Sequence, residues 1–228
     1  MRATDARRRA RTDAVAISAG IELQLSQPIA AAETLGGLAK YNGGLATNFQ
    51  QIAGELLVAR PAVASLELQP SGVVGAIIPW AGNERAIGAN VFRDPPRRLG
   101  ANTAIQKRAL TVAGPLRLLS GEPGISVMVP IFQRGRDGRE AFWGFVAASM
   151  RVSEAVAKAQ VNDLATKGYC YVLLAPAPAQ QKSIALAEYG PVSLEDAIEQ
   201  PIRVRNLEWR LALVPKGGWV NKAKRWLE

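Results

Sequence analysis

Side chains able to make or break bonds are thinly spread in this sequence. Histidine is absent, which removes Ser-His and Cys-His nucleophiles, His-ligated zinc and haem, and the usual general base near neutral pH. The 19 acids are scattered, with no Asp-x-Asp or Glu-x-x-Glu cluster of the metal-ligand kind. Carboxylates and lysines remain as groups that do acid-base chemistry, yet no nucleophile-base pair stands out. "GGLAKYNGG" (36–44) holds glycines without the spacing or the strand-before, helix-after context of a phosphate loop. No motif calls for a cofactor or a metal. Cys170 is the one cysteine; it cannot form an intramolecular disulfide and, inside the apolar run "YCYVLLA", reads as a small core residue. The groups left are suited to recognition. Thr111, in an apolar run, carries a hydroxyl that donates and accepts. "AGNE" (81–84) is either a polar turn or a set of donors and acceptors beside apolar sequence, as ligand pockets often have.

The charge balance names further partners. The formal net charge is +9 and the pI is near 10, and cations gather at both ends, in "RRRAR" (7–11) and in "NKAKRW" beside Trp226. Three readings stay open for them: a solvated helix face and tail, a nucleic-acid contact through Arg7 to Arg11, or Lys and Arg beside lipid headgroups with Trp at the interface. Basic residues are not interleaved with aromatics anywhere, so nucleic acid is the alternative rather than the leading partner. The longest apolar run, "GVVGAIIPWAG" (72–82), is about half of the ~20 residues a membrane helix needs, and the arginine-rich start has no signal-peptide character.

The elements that must position these groups follow from the pattern. At 48% hydrophobic and 228 residues, the chain can bury one large core or two small ones. Residues 4–38 predict a long helix on the stripe Ala14, Ile17, Ile21, Leu25 and Ile29, with Pro28 expected to kink or segment it. So narrow a stripe marks a stalk or dimer seam, assigned to Ile17, Ile21 and Leu25. A short helix to about Ala59 follows. The period then changes. Residues 62–69 and 73–79 read as a hairpin, 94–108 as a helix with Asp94 at its N-cap and Pro95 in its first turn, and 109–119, 125–132 and 142–151 as three more strands of one antiparallel sheet. A helix capped by Ser153 and stopped at Gly168 leads to strands at 169–176, 200–206 and 208–215. The organisation is α+β: residues 1–60 stalk and short helix, 61–152 a larger unit, 153–228 a linking helix and smaller unit.

Four strings in this order, "GVVGAIIPWAGNERAIGANVFRDPPRR", "ALTVAGPLRLLSGEPGISVMVPIF", "FWGFVAASM" and "EWRLALVPKGGW", resemble the CHASE domain over roughly residues 60–220. The resemblance implies a long N-terminal stalk helix followed by two PAS-like units, antiparallel sheets with helices, the membrane-distal unit holding a small-molecule pocket. It implies a non-catalytic sensor, periplasmic or extracellular, in an inner-membrane receptor whose output is a histidine kinase, a diguanylate cyclase or phosphodiesterase, or a nucleotide cyclase. It also implies a homodimer through the stalk and membrane helices just outside the two basic ends. Laid on this chain, the pocket of the plant cytokinin receptors falls on Thr111, near Leu99, and near Phe145 and Ala148. Trp80, Asn83, Glu84, Met128 and Phe132 complete the expected site. The family's pocket carboxylate would fall near Ala81, where this chain has none, so a purine edge loses its charged anchor and cytokinin is not the expected ligand.

Overall fold

The computed structural model describes residues 3–41, 48–135, 137–176 and 183–219. A 39-residue helix, α1 (Ala3–Tyr41), opens the chain and is followed by α2 (Phe49–Ala59). Pro28 lies inside α1, so the expected segmentation does not occur: the helix runs on through Gly36 and Gly37.

The described residues form two compact units. The larger comprises residues 24–155 with 205–207. Its strands β1 (Ser65–Pro70), β2 (Ala76–Ile78), β3 (Thr111–Arg117), β4 (Pro123–Arg134) and β5 (Glu140–Arg151) make an antiparallel five-stranded sheet in the order β2-β1-β5-β4-β3. The sequence-predicted strands coincide with these to within a few residues. Between β2 and β3 the chain makes two short 3-10 turns, Glu84–Ala86 and Val91–Arg93, and the helix α3 (Pro95–Lys107). Asp94 is the N-cap as expected, although its side chain caps no backbone N–H and instead pairs with Arg97.

Strand alternation gives this sheet two different faces. One is apolar: Leu66, Ala148, Val127 and Val112 lie in register across β1, β5, β4 and β3, beside Leu68, Val146 and Val129. The C-terminal part of α1 approaches this face so closely that a Cβ on Gly36 would stand 2.8 Å from Val129 Cγ1. The other face lies under α3. Its apolar half joins Met128, Phe145, Ala147 and Ala113 to Val91, Ala101 and Ala104 in one core. Gly100 permits that contact, because a Cβ there would come within 2.8 Å of both Ala113 and Met128.

The smaller unit comprises residues 1–23, 156–204 and 208–228. Its sheet has the order β7-β6-β9-β8, from β6 (Tyr169–Ala175), β7 (Ile184–Tyr189), β8 (Ile198–Val204) and β9 (Leu207–Pro215). Three of its four strands were predicted; the edge strand β7 was not. The single helix expected over 153–168 is two short ones, α4 (Val152–Lys158) and α5 (Asp163–Thr166). They are separated at Gln160, which adopts φ 55°. Within this unit Asp13 of α1 accepts hydrogen bonds from Lys167 Nζ at 2.6 Å and from the Tyr169 hydroxyl at 3.1 Å. Burial and that bond push the Tyr169 hydroxyl up to about 12.

Candidate ligand-binding site

Sheet register places the residues under α3 in three rows. The first runs Ala113, Ser126, Ser149, Ser65; the second Thr111, Met128, Ala147, Glu67, Ile77; the third Pro130, Phe145, Gln69. Polar side chains collect at the β1 end, and Ser65, Glu67, Gln69, Ser126 and Ser149 are all buried. A cleft with about 360 Å³ of empty space, mouth included, opens over this polar end, lined by Ser65, Glu67, Ser126, Ser149, Arg97 and Asn83 among others. Its enclosed part has room for about one water molecule.

Glu67 is the centre of the network. Its carboxylate accepts a hydrogen bond from the Ser65 hydroxyl at 3.1 Å and one from Gln69 Nε2 at 2.7 Å. Ser65 Oγ lies 2.6 Å from Ser149 Oγ. A hydroxyl has one proton, so with Ser65 donating to Glu67, Ser149 donates to Ser65. Burial pushes the Glu67 carboxyl above its ordinary value, against the lowering by Gln69, Ser65 and the Arg97 charge. Arg97 is itself 7% exposed, paired with Asp94 and donating to the Arg117 carbonyl at 2.8 Å. Arg151, at the cleft rim, pairs with Glu122 and with Glu154. Gln69 Oε1 is buried without a hydrogen-bond partner, an arrangement that costs folding energy unless something else occupies the site.

The sequence-predicted residues divide between this face and elsewhere. Thr111, Met128 and Phe145 lie on it, Thr111 buried with its hydroxyl 3.5 Å from the Ala109 carbonyl. Phe132 joins it at the far end through a ring chain, 5.8 Å from Phe142, which stands 4.9 Å from Phe145. Asn83 lines the cleft and donates to the Pro79 carbonyl at 2.9 Å. Four expected residues are not brought onto this buried face. Ala148 is three positions from Phe145 and therefore points to the apolar face, in register with Leu66 and Val127. Leu99 is 72% exposed, because α3 turns Arg97, Gly100, Ala101 and Ala104 inward instead. Trp80 is 56% exposed. Glu84 is exposed, and its carboxylate accepts from the Gly82 N–H at 3.0 Å, a bond that together with one from its own N–H holds it below the usual carboxylate value.

The stalk residues are corrected as well. Ile17, Ile21 and Leu25 are buried within this chain and are not available as a seam with a second copy. The face of α1 left exposed carries Val15, Ala16, Ala19 and Leu23. At the basic N-terminal turn Arg7 stacks on Trp219 at 4.4 Å and Arg8 pairs with Asp5 at 3.2 Å.

The residue that sequence reasoning missed is Glu67. The family's pocket carboxylate would fall near Ala81, in the layer after β2, where this chain has none; Glu67 is a buried carboxylate on β1. The available signal was "SLELQ", in which Ser65, Glu67 and Gln69 share one side of a strand.

A five-stranded antiparallel sheet with the end of a long N-terminal helix on one face and α3 on the other, together with a second smaller sheet, defines a double PAS-like architecture. Residues 59–171 match the CHASE domain family; the chain carries a CHASE domain, and the strings from which the resemblance was drawn lie largely within it. Among solved structures, an extracellular ligand binding receptor from Desulfohalobium retbaense shares the fold with a TM-score of 0.65 at 11% identity. That likeness covers 86% of this chain, which spans only 38% of the receptor's length. A methyl-accepting chemotaxis protein X aligns with a TM-score of 0.59 at 13% identity over 90% of this chain and 96% of its own. The sensor domain of the V. cholerae histidine kinase DctB gives 0.53 at 14% over 90% and 95%. No curated protein sequence matches the chain.

Proposed function

We propose that this chain is the small-molecule sensing part of a membrane receptor, without catalysis of its own. Its ligand is held in the cleft between the polar end of the larger sheet and α3. The CHASE match supports a sensor role, and the observation that carries the site is the group Ser65, Glu67, Gln69, Ser126 and Ser149, buried on one sheet face. A purely structural sheet has no need of five polar side chains there, since burying them costs free energy that an apolar face does not incur. The same pattern is what a recognition surface requires.

In this reading the domain lies outside the cytoplasm, with membrane-spanning segments beyond the described residues; no described helix is long and apolar enough to cross a membrane. A ligand signals only if it binds two arrangements of the domain with different affinity. The receptor pairs with a second copy along the exposed face of α1, where Thr12, Ala16, Ala19 and Leu23 alternate four- and three-residue steps as a two-helix seam does. The output is a histidine kinase, a cyclase or a phosphodiesterase carried by the rest of the receptor. Support for a sensor over a nucleic-acid-binding protein lies in the placement of the buried polar groups, remote in sequence from Arg7 to Arg11.

The test is a thermal-shift screen of small metabolites, repeated on Ser149→Leu, which fills the cleft, and on Leu99→Ala, which changes an exposed position. Compounds that stabilise the wild type and Leu99→Ala but not Ser149→Leu meet the expectation. Equal shifts on all three would place binding elsewhere.

A further inference from the structure

The protons and lone pairs around Glu67 define what the cleft lacks. Ser149 donates to Ser65, Ser65 to Glu67, and Gln69 Nε2 to Glu67, so these donors are directed at the carboxylate. Left over in the cleft lining are the lone pairs of Ser149 Oγ and those of Glu67 itself, since a carboxylate offers about four lone-pair sites, beside the Ser120 and Ser126 hydroxyls, which donate or accept. The two arginines lining the cleft are already engaged. Arg97 is held by Asp94 and the Arg117 carbonyl, and Arg151 by Glu122 and Glu154. An anionic ligand would find no unpaired guanidinium there and would face Glu67.

We propose that the cleft is a site for a small primary amine whose ammonium group docks on Glu67. This rests on the sensor reading above and names its ligand class. An ammonium brings three donors and one positive charge to a site with surplus acceptors and a buried carboxylate. The pair satisfies the condition under which a buried charge is tolerated, a partner of opposite sign with hydrogen bonds on both. Size follows from the space. With room for about one water at its closed end, the cleft suits a compound of few heavy atoms that places its ammonium inside and its remaining atoms in the open mouth. The apolar side chains that line it, Ile77, Leu118 and Leu119, stand beside it for a short hydrocarbon arm.

Four probes sharing one short hydroxylated arm separate the possibilities: ethanolamine, choline, glycolate and ethylene glycol. Each is titrated against the chain by calorimetry and thermal shift. Ethanolamine is expected to bind, raising Tm by roughly 5–10 °C at a hundredfold excess over its Kd. Choline, a cation without N–H donors, is expected to bind at least tenfold more weakly. Glu67→Gln, which keeps the shape and the acceptor oxygen but removes the charge, is expected to weaken ethanolamine at least tenfold, and Ser149→Ala several-fold. If Glu67→Gln does not fold, Ser149→Ala carries the test alone, and an unchanged Kd overturns the assignment. Ethanolamine bound equally by wild type and Glu67→Gln overturns it, as does choline bound as tightly as ethanolamine. Glycolate or ethylene glycol binding without ethanolamine, or a null result with all four, overturns the amine assignment; the sensor reading falls only if the metabolite screen on Ser149→Leu also places binding elsewhere.

Discussion

Replacing Glu67 by Gln removes one buried titratable group and little else, so its effect on stability can be worked out in advance. The carboxyl is 6% exposed and burial raises it above its ordinary value of 4.5. Below that value the folded and unfolded chains both hold the proton, and pH has no leverage through this group. Above it the unfolded chain releases the proton while the folded chain keeps it. Stability present at low pH is therefore lost as pH rises, until the folded carboxyl also ionises. The loss approaches about 1.4 kcal/mol per pH unit, or roughly 3–5 °C in Tm per unit for a domain of this size class. The charged groups around Glu67 are Arg97 with its partner Asp94, and Arg151 with Glu122 and Glu154; both variants retain them, so their titration cancels in the difference. Calorimetric melting of wild type and Glu67→Gln at half-unit steps from pH 4 to 8 gives the curve. Glu67→Gln should gain on the wild type from about pH 4.5 upward and level off once the folded carboxyl is ionised. A difference that stays flat across that range, or that favours the wild type increasingly with pH, refutes the argument that burial dominates at this position.

Two further perturbations test the geometry. Leu99→Ala, at an exposed position of α3, should change the free energy of unfolding by no more than about 0.5 kcal/mol, whereas Phe145→Ala, fully buried in the core under α3, should cost about 3–5 kcal/mol; urea titration of both distinguishes them, and equal losses would mean that α3 is rotated from the placement described. Single cysteines at Val15 or Ala19 of the full-length receptor in membranes should form intermolecular disulfides on mild oxidation, while cysteines at Ile17 or Ile21 should not. Cross-linking through the buried pair alone would restore the stripe first assigned as the seam.

The elements were legible in the sequence because each has a strong local signal. The strands of the larger sheet carry alternating or continuous apolar runs broken by "PSG" and "SGEPG", and Pro95 marks the start of α3. The long helix was legible too, and its buried stripe was the right set of residues with the wrong partner: Ile17, Ile21 and Leu25 are covered by the chain itself, which periodicity cannot distinguish from cover by a second copy. The strand β7 gave little signal, since "IALAEY" is exposed or half-exposed along its length, so that only a short apolar alternation before Gly190 and Pro191 marks it.

The candidate site was less legible, for a reason that lies in strand geometry. A period of two tells which residues share a face and says nothing about which face is wet. In "SLELQP" Leu66 and Leu68 take the side that a soluble sheet buries, and Ser65, Glu67 and Gln69 take the side it ordinarily gives to solvent. Here both sides are buried, and the polar one lines a cleft that α3 reaches with Arg97. That approach was hidden in turn, since α3 buries an arginine and small residues, Arg97, Gly100, Ala101 and Ala104, while its leucine faces out. A helix with an apolar inner stripe would have announced itself; one that leaves space above a polar sheet face cannot present such a stripe without filling the space. The weakness of the signal and the presence of the cleft thus have one cause. Ala148 shows the complementary case, where parity was available: an odd separation from Phe145 along one strand excludes a shared face whatever covers it.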